Sequence, residues 1–214
     1  MIKKYREEID GLRGLAVLGV IFYHAEILID NKNIFSGGFL GVDIFLVISG
    51  FLITRIINNE YIYEKTFTFK NFYERRIRRL IPALLIVIIF STIFAYFILL
   101  PNQFIYFLKF SFSSIFFFSN LFFHYTGESY GQSILTTIPL LHTWSLSLEE
   151  QFYIFYPAFL ILIFKYGKNK INISLIILLL ISIIFALSIN KSHGSFNFYM
   201  LPSRGWEFIV GGLL

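Results

Sequence analysis

An arginine and a histidine interrupt an otherwise apolar stretch near the start of the sequence, LRGLAVLGVIFYHA at residues 12–25. Three helical turns separate Arg13 from His24, so a helix would place them within roughly 20° of one face and about 16 Å apart along its axis. Ionisable side chains at membrane depth are costly and usually face a protein interior or a wet cavity. We therefore predict that this face belongs to a functional site, where the guanidinium binds an anion and the imidazole moves a proton.

A carboxylate stands near the start of the second apolar stretch, GGFLGVDIFLVISGFLIT at residues 37–54. Asp43 has two interpretations. It accepts hydrogen bonds at a helix N-terminus, where the helix dipole favours a negative charge. Alternatively, it pairs with Arg13 or orients His24 inside a cavity, and the sequence leaves both open.

Four arginines precede a third apolar run in FYERRIRRLIPALL, residues 72–85. We expect this membrane segment to open at Pro82, because proline is accepted in the first turn of a helix. Positive-inside anchoring and snorkelling explain many such clusters. Arg75, Arg76 and Arg79 are also spaced to present their guanidinium groups together, which suits bidentate recognition of phosphate. A phosphorylated cytoplasmic donor such as an acyl-CoA would fit them.

Polar residues also cluster in PLLHTWSLSLEEQFYIFYP, residues 139–157. The members that could do chemistry are His142, Trp144, Ser145, Ser147, Glu149, Glu150 and Gln151. Glu149 and Glu150 point about 100° apart on a helix, so at most one of them needs to face a site. In the last stretch, SRGWEFIVGGLL, the i, i+3 pair of Arg204 and Glu207 is either a local ion pair or a second set of cavity charges.

The elements that must position these residues are membrane helices. The 214 residues are 57% hydrophobic and 14% charged, with a mean hydropathy of +0.71. This composition predicts an all-α, polytopic transmembrane helix bundle in a single membrane domain, residues 1–214. We predict six membrane segments and a seventh opening at the end. The six lie at residues 11–29, 38–57, 80–100, 104–124, 143–164 and 172–189, of which 104–124 is ambiguous.

Basic residues predict the orientation of these segments. Lys3, Lys4 and Arg6 precede the first, and the connection 55–79 is strongly basic, so both should be cytoplasmic. The cluster of Lys165, Lys168 and Lys170 also favours the inside, yet alternation places it outside if residues 104–124 cross the membrane. A re-entrant or interfacial 104–124 would resolve this conflict.

Several function classes are excluded or disfavoured by the same inventory. The net charge of +5 comes from residues at membrane boundaries, where topology and lipid headgroups explain it better than nucleic-acid binding. Cysteine is absent, which excludes disulfides and thiolate metal sites. The histidines, at positions 24, 124, 142 and 193, are dispersed and lack an H-E-x-x-H pattern, so we expect no metal and no bound cofactor.

Five motifs in this order resemble the acyltransferase 3 family of membrane acyltransferases, from about residue 9 to the end. They are DGLRGLAVLGVIFYH, GVDIFLVISGFLIT, FYERRIRRLIP, PLLHTWSLSLEEQFY and RGWEFIVGG. The resemblance implies transfer of an acyl group, commonly acetyl, to a hydroxyl of a cell-envelope carbohydrate such as a lipopolysaccharide O-antigen, an exopolysaccharide or another glycan. Members typically have about ten membrane segments, whereas this sequence stops inside the seventh, so we expect a C-terminally truncated sequence.

The resemblance also suggests residue roles. The family's arginine and histidine signature falls on Arg13 and His24, its arginine-rich motif on Arg75, Arg76 and Arg79, and its glutamate motif on Glu149. We expect His24 and Glu149 to be catalytic, with His24 as general base toward the acceptor hydroxyl and Glu149 or Asp43 orienting its ring. The donor would be acetyl-CoA or another acyl-CoA, and its phosphates would bind the arginines. We assign the substrate-binding role to Arg13, Asp43, Arg75, Arg76 and Arg79.

The same residues also fit a different catalytic route, a transport function or a non-catalytic protein. An acyl-enzyme route would use Ser49, Ser145 or Ser147, although no G-x-S-x-G elbow supports it. A transporter or flippase would use the buried charges as a polar pathway without chemistry. A truncated, non-catalytic remnant is the third reading. For the transferase we expect a multi-pass protein of the inner (cytoplasmic) membrane that contacts lipids and a carbohydrate or glycolipid acceptor.

Overall fold

The computed structural model describes residues 6–29, 32–126, 140–167, 170–189 and 194–214. Its helices are α1 (Glu7–His24), α2 (Leu40–Asn58), α3 (Phe69–Ile98), α4 (Pro101–Ile115), α5 (Ser119–Tyr125), α6 (Thr143–Tyr166), α7 (Ile171–Ile189), α8 (Gly194–Tyr199) and α9 (Leu201–Leu213). A π-helix, Asn59–Tyr63, continues α2. Strands β1 (Leu28–Ile29) and β2 (Lys32–Asn33) pair antiparallel between α1 and α2. The predicted all-α class is confirmed, since these two-residue strands are too short to form a sheet layer.

Four helical segments in the described part of the chain are long and apolar enough to cross a membrane. They are Leu40–Tyr63, Phe69–Ile98, Thr143–Tyr166 and Ile171–Ile189. Together with the family shown below, they make this a multi-pass membrane protein. Helix α1 has 18 residues, but its first two turns carry Glu7, Glu8, Asp10 and Arg13, so its uninterrupted apolar part is shorter than a full span.

The ambiguous stretch 104–124 is not one continuous helix. Helix α4 ends at Ile115, and Phe117 adopts a left-handed φ of 58° before α5 begins at Ser119. Ser114, Ser119 and Asn120 hydrogen-bond to Thr143, Ser147 and Gln151 respectively, all within the first three turns of α6. The break is therefore held against one half of α6 by side-chain amides and hydroxyls, which satisfy the polar groups that a broken helix exposes.

Contacts between helices define two ends of the bundle. We call the end with Arg75, Arg76 and Arg79 the arginine end, and the end where the rings of His24 and His142 meet the histidine end. Helix α6 starts at the histidine end, with His142 as its N-cap. About three turns further along the helix, Arg76 of α3 lies over the ring of Tyr153. Helix α6 therefore runs from the histidine end to the arginine end.

This direction bears on the conflict between the lysine cluster and simple alternation. Because α6 returns to the arginine end, Lys165 in its last turn and Lys170 before α7 lie on the same side as the arginines. Lys168 is outside the described residues, as are Lys3, Lys4 and His193. The interpretation in which 104–124 does not cross is thus the one that agrees with the fold.

Helices α2 and α9 approach each other closely through glycine. A Cβ on Gly50 would lie 1.8 Å from the carbonyl oxygen of Phe208, and one on Gly211 would lie 1.9 Å from that of Val47. Small residues permit such backbone contact between membrane helices, where packing rather than water exclusion stabilises association. The α2–α9 pair forms part of the buried core, with Phe208 stacked on Phe152 of α6 at 4.2 Å between ring centroids.

Helix α3 corrects the expected role of Pro82. The helix begins at Phe69, where Thr68 accepts a hydrogen bond from the backbone N–H of Asn71, and it continues through Pro82 to Ile98. Pro82 is therefore an interior residue rather than a first-turn residue. The four arginines and the apolar segment belong to one continuous helix. The face of the helix on which each arginine lies is therefore set by the packing of α3 as a whole.

Candidate active site

The arginines of α3 and Arg13 of α1 share one cavity of about 610 Å³. Its polar lining consists of Arg13, Ser49, Arg75, Arg76, Arg79, Glu149, Glu150 and Tyr153. Helices α1, α2, α3 and α6 contribute these residues, so segments far apart in sequence meet here. The predicted grouping of Arg13 with the arginine-rich motif agrees with this geometry.

Each arginine of this cavity has a different environment. Nη2 of Arg75 donates to both carboxylate oxygens of Glu60, at 2.9 and 2.8 Å. The guanidinium of Arg76 lies over the ring of Tyr153, 3.5 Å from its centroid. Nη1 of Arg13 lies 3.6 Å from Oδ1 of Asp10, which is one turn earlier in α1. Arg79 makes no ion pair with a carboxylate of the described residues, so its charge is available to an anion in the cavity.

Glu149 is the polar centre of the site. Its Oε1 accepts hydrogen bonds from the hydroxyls of Ser49 and Tyr153. The next residue, Glu150, also lines the cavity, although the sequence required only one of the two glutamates to face a site. Both do so because the cavity extends around a wide sector of α6.

A second cavity of about 370 Å³ adjoins the first toward the histidine end. The two share Val17, Phe45, Leu146 and Glu149 as wall residues. The second is mostly apolar, and His142, Trp144 and Ser145 supply its polar groups together with Glu149. The two adjoining cavities therefore lead from the arginines past Glu149 to His142.

The face of α1 predicted from the sequence follows this path. Arg13 and Val17 line the first cavity, and Val17, Val20 and Ile21 line the second. His24 completes the face at the histidine end, where its ring meets that of His142 edge-on at 4.5 Å between centroids. Its Nδ1 lies 2.8 Å from the Val20 carbonyl oxygen. That oxygen only accepts, so Nδ1 carries the proton and Nε2 is the basic nitrogen in neutral His24.

His142 is a site residue to which sequence reasoning gave no role. Burial, followed by the charge of His24, lowers the pKa of His142 from its ordinary value. Two imidazoles in contact resist being protonated together. Nothing in the spacing of positions 24 and 142 indicates this pairing, because it arises only when α6 packs beside α1.

The ion-pair partner of Asp43 differs from both partners expected from the sequence. Arg204 donates to Asp43 and, at 3.0 Å, to Glu207, while its guanidinium also lies 5.4 Å from the ring centroid of Trp144. Asp43 pairs with this arginine of α9 rather than with Arg13 or His24, and neither cavity described above includes it in its wall. The pair of Arg204 and Glu207 is confirmed as an ion pair, and Asp43, which is partly exposed, extends it into a charged triad that joins α2 to α9.

The serines considered for an acyl-enzyme route have other partners. Ser145 donates to the His142 carbonyl oxygen at 3.1 Å, and Ser147 exchanges a 2.7 Å hydrogen bond with Ser119. Ser49 alone of the three bonds to a carboxylate, that of Glu149. Within the described residues there is no group of three or more histidine, cysteine, aspartate or glutamate side chains arranged to hold a metal ion.

A helical membrane bundle with a cationic cavity that adjoins one lined by His142 fits both group-transfer and transport proteins of membranes. Comparison with known sequences narrows this choice. A family described as an acyltransferase domain matches residues 6–214. The chain belongs to this family, acyltransferase 3, as the five sequence motifs predicted.

Named relatives support this membership. The peptidoglycan O-acetyltransferase OatA of Listeria monocytogenes is 37% identical over 216 residues, which cover 98% of this chain and 33% of the relative. A Bacillus subtilis protein, YrhL, provisionally named as a peptidoglycan O-acetyltransferase, is 37% identical over 213 residues, 97% of this chain and 32% of its own length. A provisionally named O-acetyltransferase of Staphylococcus aureus is 37% identical over 201 residues, 91% of this chain and 32% of its own length. The chain thus spans about a third of each relative, and no solved structure matches it.

Proposed function

We propose that this chain forms the membrane-embedded part of an O-acyltransferase that moves an acetyl group from acyl-CoA to a hydroxyl of an envelope carbohydrate. The observation that carries the proposal is the pair of adjoining cavities that share Glu149: one is cationic, and the other is lined by His142, whose ring contacts that of His24. The names of the relatives favour peptidoglycan as the acceptor over the lipopolysaccharide O-antigen suggested by the resemblance alone.

The arginine end would hold the donor. Phosphates are best bound by guanidinium groups in a partly enclosed site, and Arg13, Arg75, Arg76 and Arg79 all line the larger cavity. The apolar wall shared by the two cavities would accommodate an extended thioester arm reaching toward the histidines. The positive-inside rule supports a cytoplasmic location for this end, and we infer from it a cytoplasmic N-terminus and a protein of the cytoplasmic membrane.

The histidine end would hold the acceptor. A sugar hydroxyl is a weak nucleophile, and Nε2 of His24 would accept its proton as the oxygen attacks the thioester carbonyl. The carbon–oxygen bond forms, the carbon–sulfur bond breaks, and the proton passes to the departing thiolate, which leaves as the CoA thiol. The hydrogen bond from His24 to the Val20 carbonyl holds the ring in the tautomer this step requires. Glu149, with its two hydroxyl donors, would orient the reacting groups between the two cavities.

The test measures acetyl transfer and thioester consumption together. Membranes containing the chain receive acetyl-CoA labelled in the acetyl group, and label in the envelope carbohydrate and free CoA thiol are both quantified. We expect His24→Ala to abolish transfer and Arg79→Gln to reduce kcat/KM for the donor by about tenfold or more. The matched control is Arg78→Gln, because Arg78 is largely exposed, pairs with Glu74 at 2.6 Å and lies outside the cavity wall.

Two results would contradict the proposal. Intact acetyl-CoA crossing the membrane without release of thiol would identify a transporter. A His24→Ala protein that is correctly inserted and transfers acetyl normally would remove His24 as the base.

A further inference from the structure

The π-helix that follows α2 carries a buried carboxylate. Glu60 is 5% exposed and lies within Asn59–Tyr63. Helices with this wider turn are rare and occur frequently at functional sites, because the extra residue redirects the side chains that follow. Burying a carboxylate is costly unless a partner neutralises it. The reason for placing Glu60 here must therefore lie in what it contacts.

Glu60 contacts the arginine-rich turn of α3. Both of its carboxylate oxygens accept from Nη2 of Arg75, at 2.9 and 2.8 Å. Its own backbone carbonyl accepts from the N–H groups of Thr66 and Phe67, at 2.8 and 3.2 Å. The connection between α2 and α3 therefore folds back on the backbone of Glu60, the residue whose carboxylate meets Arg75.

The contact leaves part of Arg75 facing the cavity. Arg75 is 53% exposed in its side chain, against 6% for Glu60, and Arg75 lines the larger cavity while Glu60 is not part of its described wall. Nη2 donates to Glu60, and a guanidinium has further N–H donors on Nη1 and Nε. A long, flexible side chain is thus held through one nitrogen by Glu60 while the same side chain lines the cavity.

We propose that Glu60 is a positioning residue for donor binding: it orients Arg75 so that the remaining guanidinium donors meet a phosphate group of the acyl-CoA. This inference rests on the proposed function. Glu60 itself does not touch the donor. Its contribution is to reduce the conformational freedom that Arg75 would otherwise lose when the donor binds.

The experiment compares two glutamates that each pair with an arginine of α3. Glu60→Gln removes the buried charge, and Glu74→Gln removes the carboxylate of the exposed i, i+4 pair with Arg78. We expect Glu60→Gln to raise KM for acetyl-CoA about tenfold with kcat within about twofold of the wild-type value, because only ground-state binding is lost. Glu74→Gln should leave both constants unchanged, since an exposed pair contributes little.

Two further variants separate positioning from a merely structural role. If Glu60 acts through Arg75, the double variant Glu60→Gln, Arg75→Gln has the same KM as Arg75→Gln alone. Glu60→Asp keeps the charge but shortens the side chain, so it should raise KM without lowering the melting temperature. This variant also tests the proposal if Glu60→Gln fails to fold.

The outcomes distinguish this inference from the proposed function. Wild-type protein that neither binds CoA nor consumes acetyl-CoA would overturn the proposed function and this inference with it. Active wild-type protein in which Glu60→Asp and Glu60→Gln match Glu74→Gln would overturn the positioning role alone. If Glu60→Gln and Arg75→Gln raise KM by equal factors, and these factors multiply in the double variant, the positioning role of Glu60 is overturned as well.

Discussion

At the scale of single residues, His142 gives the protein a dependence on pH that its neighbours explain. It contacts His24 and shares a cavity with Glu149, and its pKa is lowered mainly by burial and further by His24. A lowered pKa means that the unfolded chain binds a proton more readily than the folded protein does. The stability contributed by neutral His142 is therefore present above the pKa of the unfolded chain, about 6.5. It is lost as the pH falls through the lower pKa of His142 in the folded protein.

This sign leads to a prediction for His142→Gln. Between pH 7.5 and 5.5 we expect the melting temperature of the wild-type protein in detergent to fall more than that of the variant, by about 2 °C. Fluorescence-monitored thermal unfolding measures the difference. The control is His124→Gln, because His124 contacts Ser195 and Phe196 rather than His24. Equal pH dependence in the wild-type protein and His142→Gln would show that His142 does not titrate as its burial requires.

At the scale of elements, the α2–α9 contact depends on the absence of a side chain at Gly50. An added methyl group would lie 1.8 Å from the backbone carbonyl oxygen of Phe208, and this atom cannot move away without displacing α9. We expect Gly50→Ala to destabilise the protein by about 2–3 kcal/mol, as overpacking does in other cores. Because Asp43 and Arg204 also join these helices, separating them should weaken that ion pair as well.

Gly14 provides the matched comparison for this prediction. It lies in α1, and a methyl group there would meet no atom within 4 Å. Gly14→Ala should therefore leave stability unchanged or raise it by about 0.5–1 kcal/mol, the usual effect of alanine in a helix. Thermal unfolding of both variants measures the contrast, and similar melting temperatures would mean that α2 and α9 are not closely packed.

The elements also show how far the sequence predicts this fold. The spacing of Arg13 and His24 predicted one shared face of α1, and both lie in this helix as expected, because spacing within one helix is a local property. The pairing of Asp43 with Arg204 was not predictable in this way, since it depends on which helices become neighbours. The inward turn of Glu60 was missed for a related reason: no local signal in the sequence distinguishes a π-helix from the α-helix it continues.

At the scale of the whole molecule, the two ends of the bundle make a prediction about sidedness. Lys65 follows the π-helix and Lys170 precedes α7, so both lie at the arginine end, whereas Glu26 follows α1 at the histidine end. All three are exposed. The sequence contains no cysteine, so single cysteines introduced at these positions report their side of the membrane without background labelling.

We expect a membrane-impermeant maleimide added to intact cells to label Glu26→Cys, and to label Lys65→Cys and Lys170→Cys only after the membrane is opened. The decisive comparison is between the two lysine positions. If residues 104–124 crossed the membrane, alternation would place Lys170 on the side opposite to Lys65, and the two would label differently. Equal protection of both follows from α6 running from the histidine end to the arginine end, which also brings Glu149 between the two cavities. The same labelling pattern that fixes the topology therefore tests whether the path from arginines to histidines joins opposite faces of the membrane.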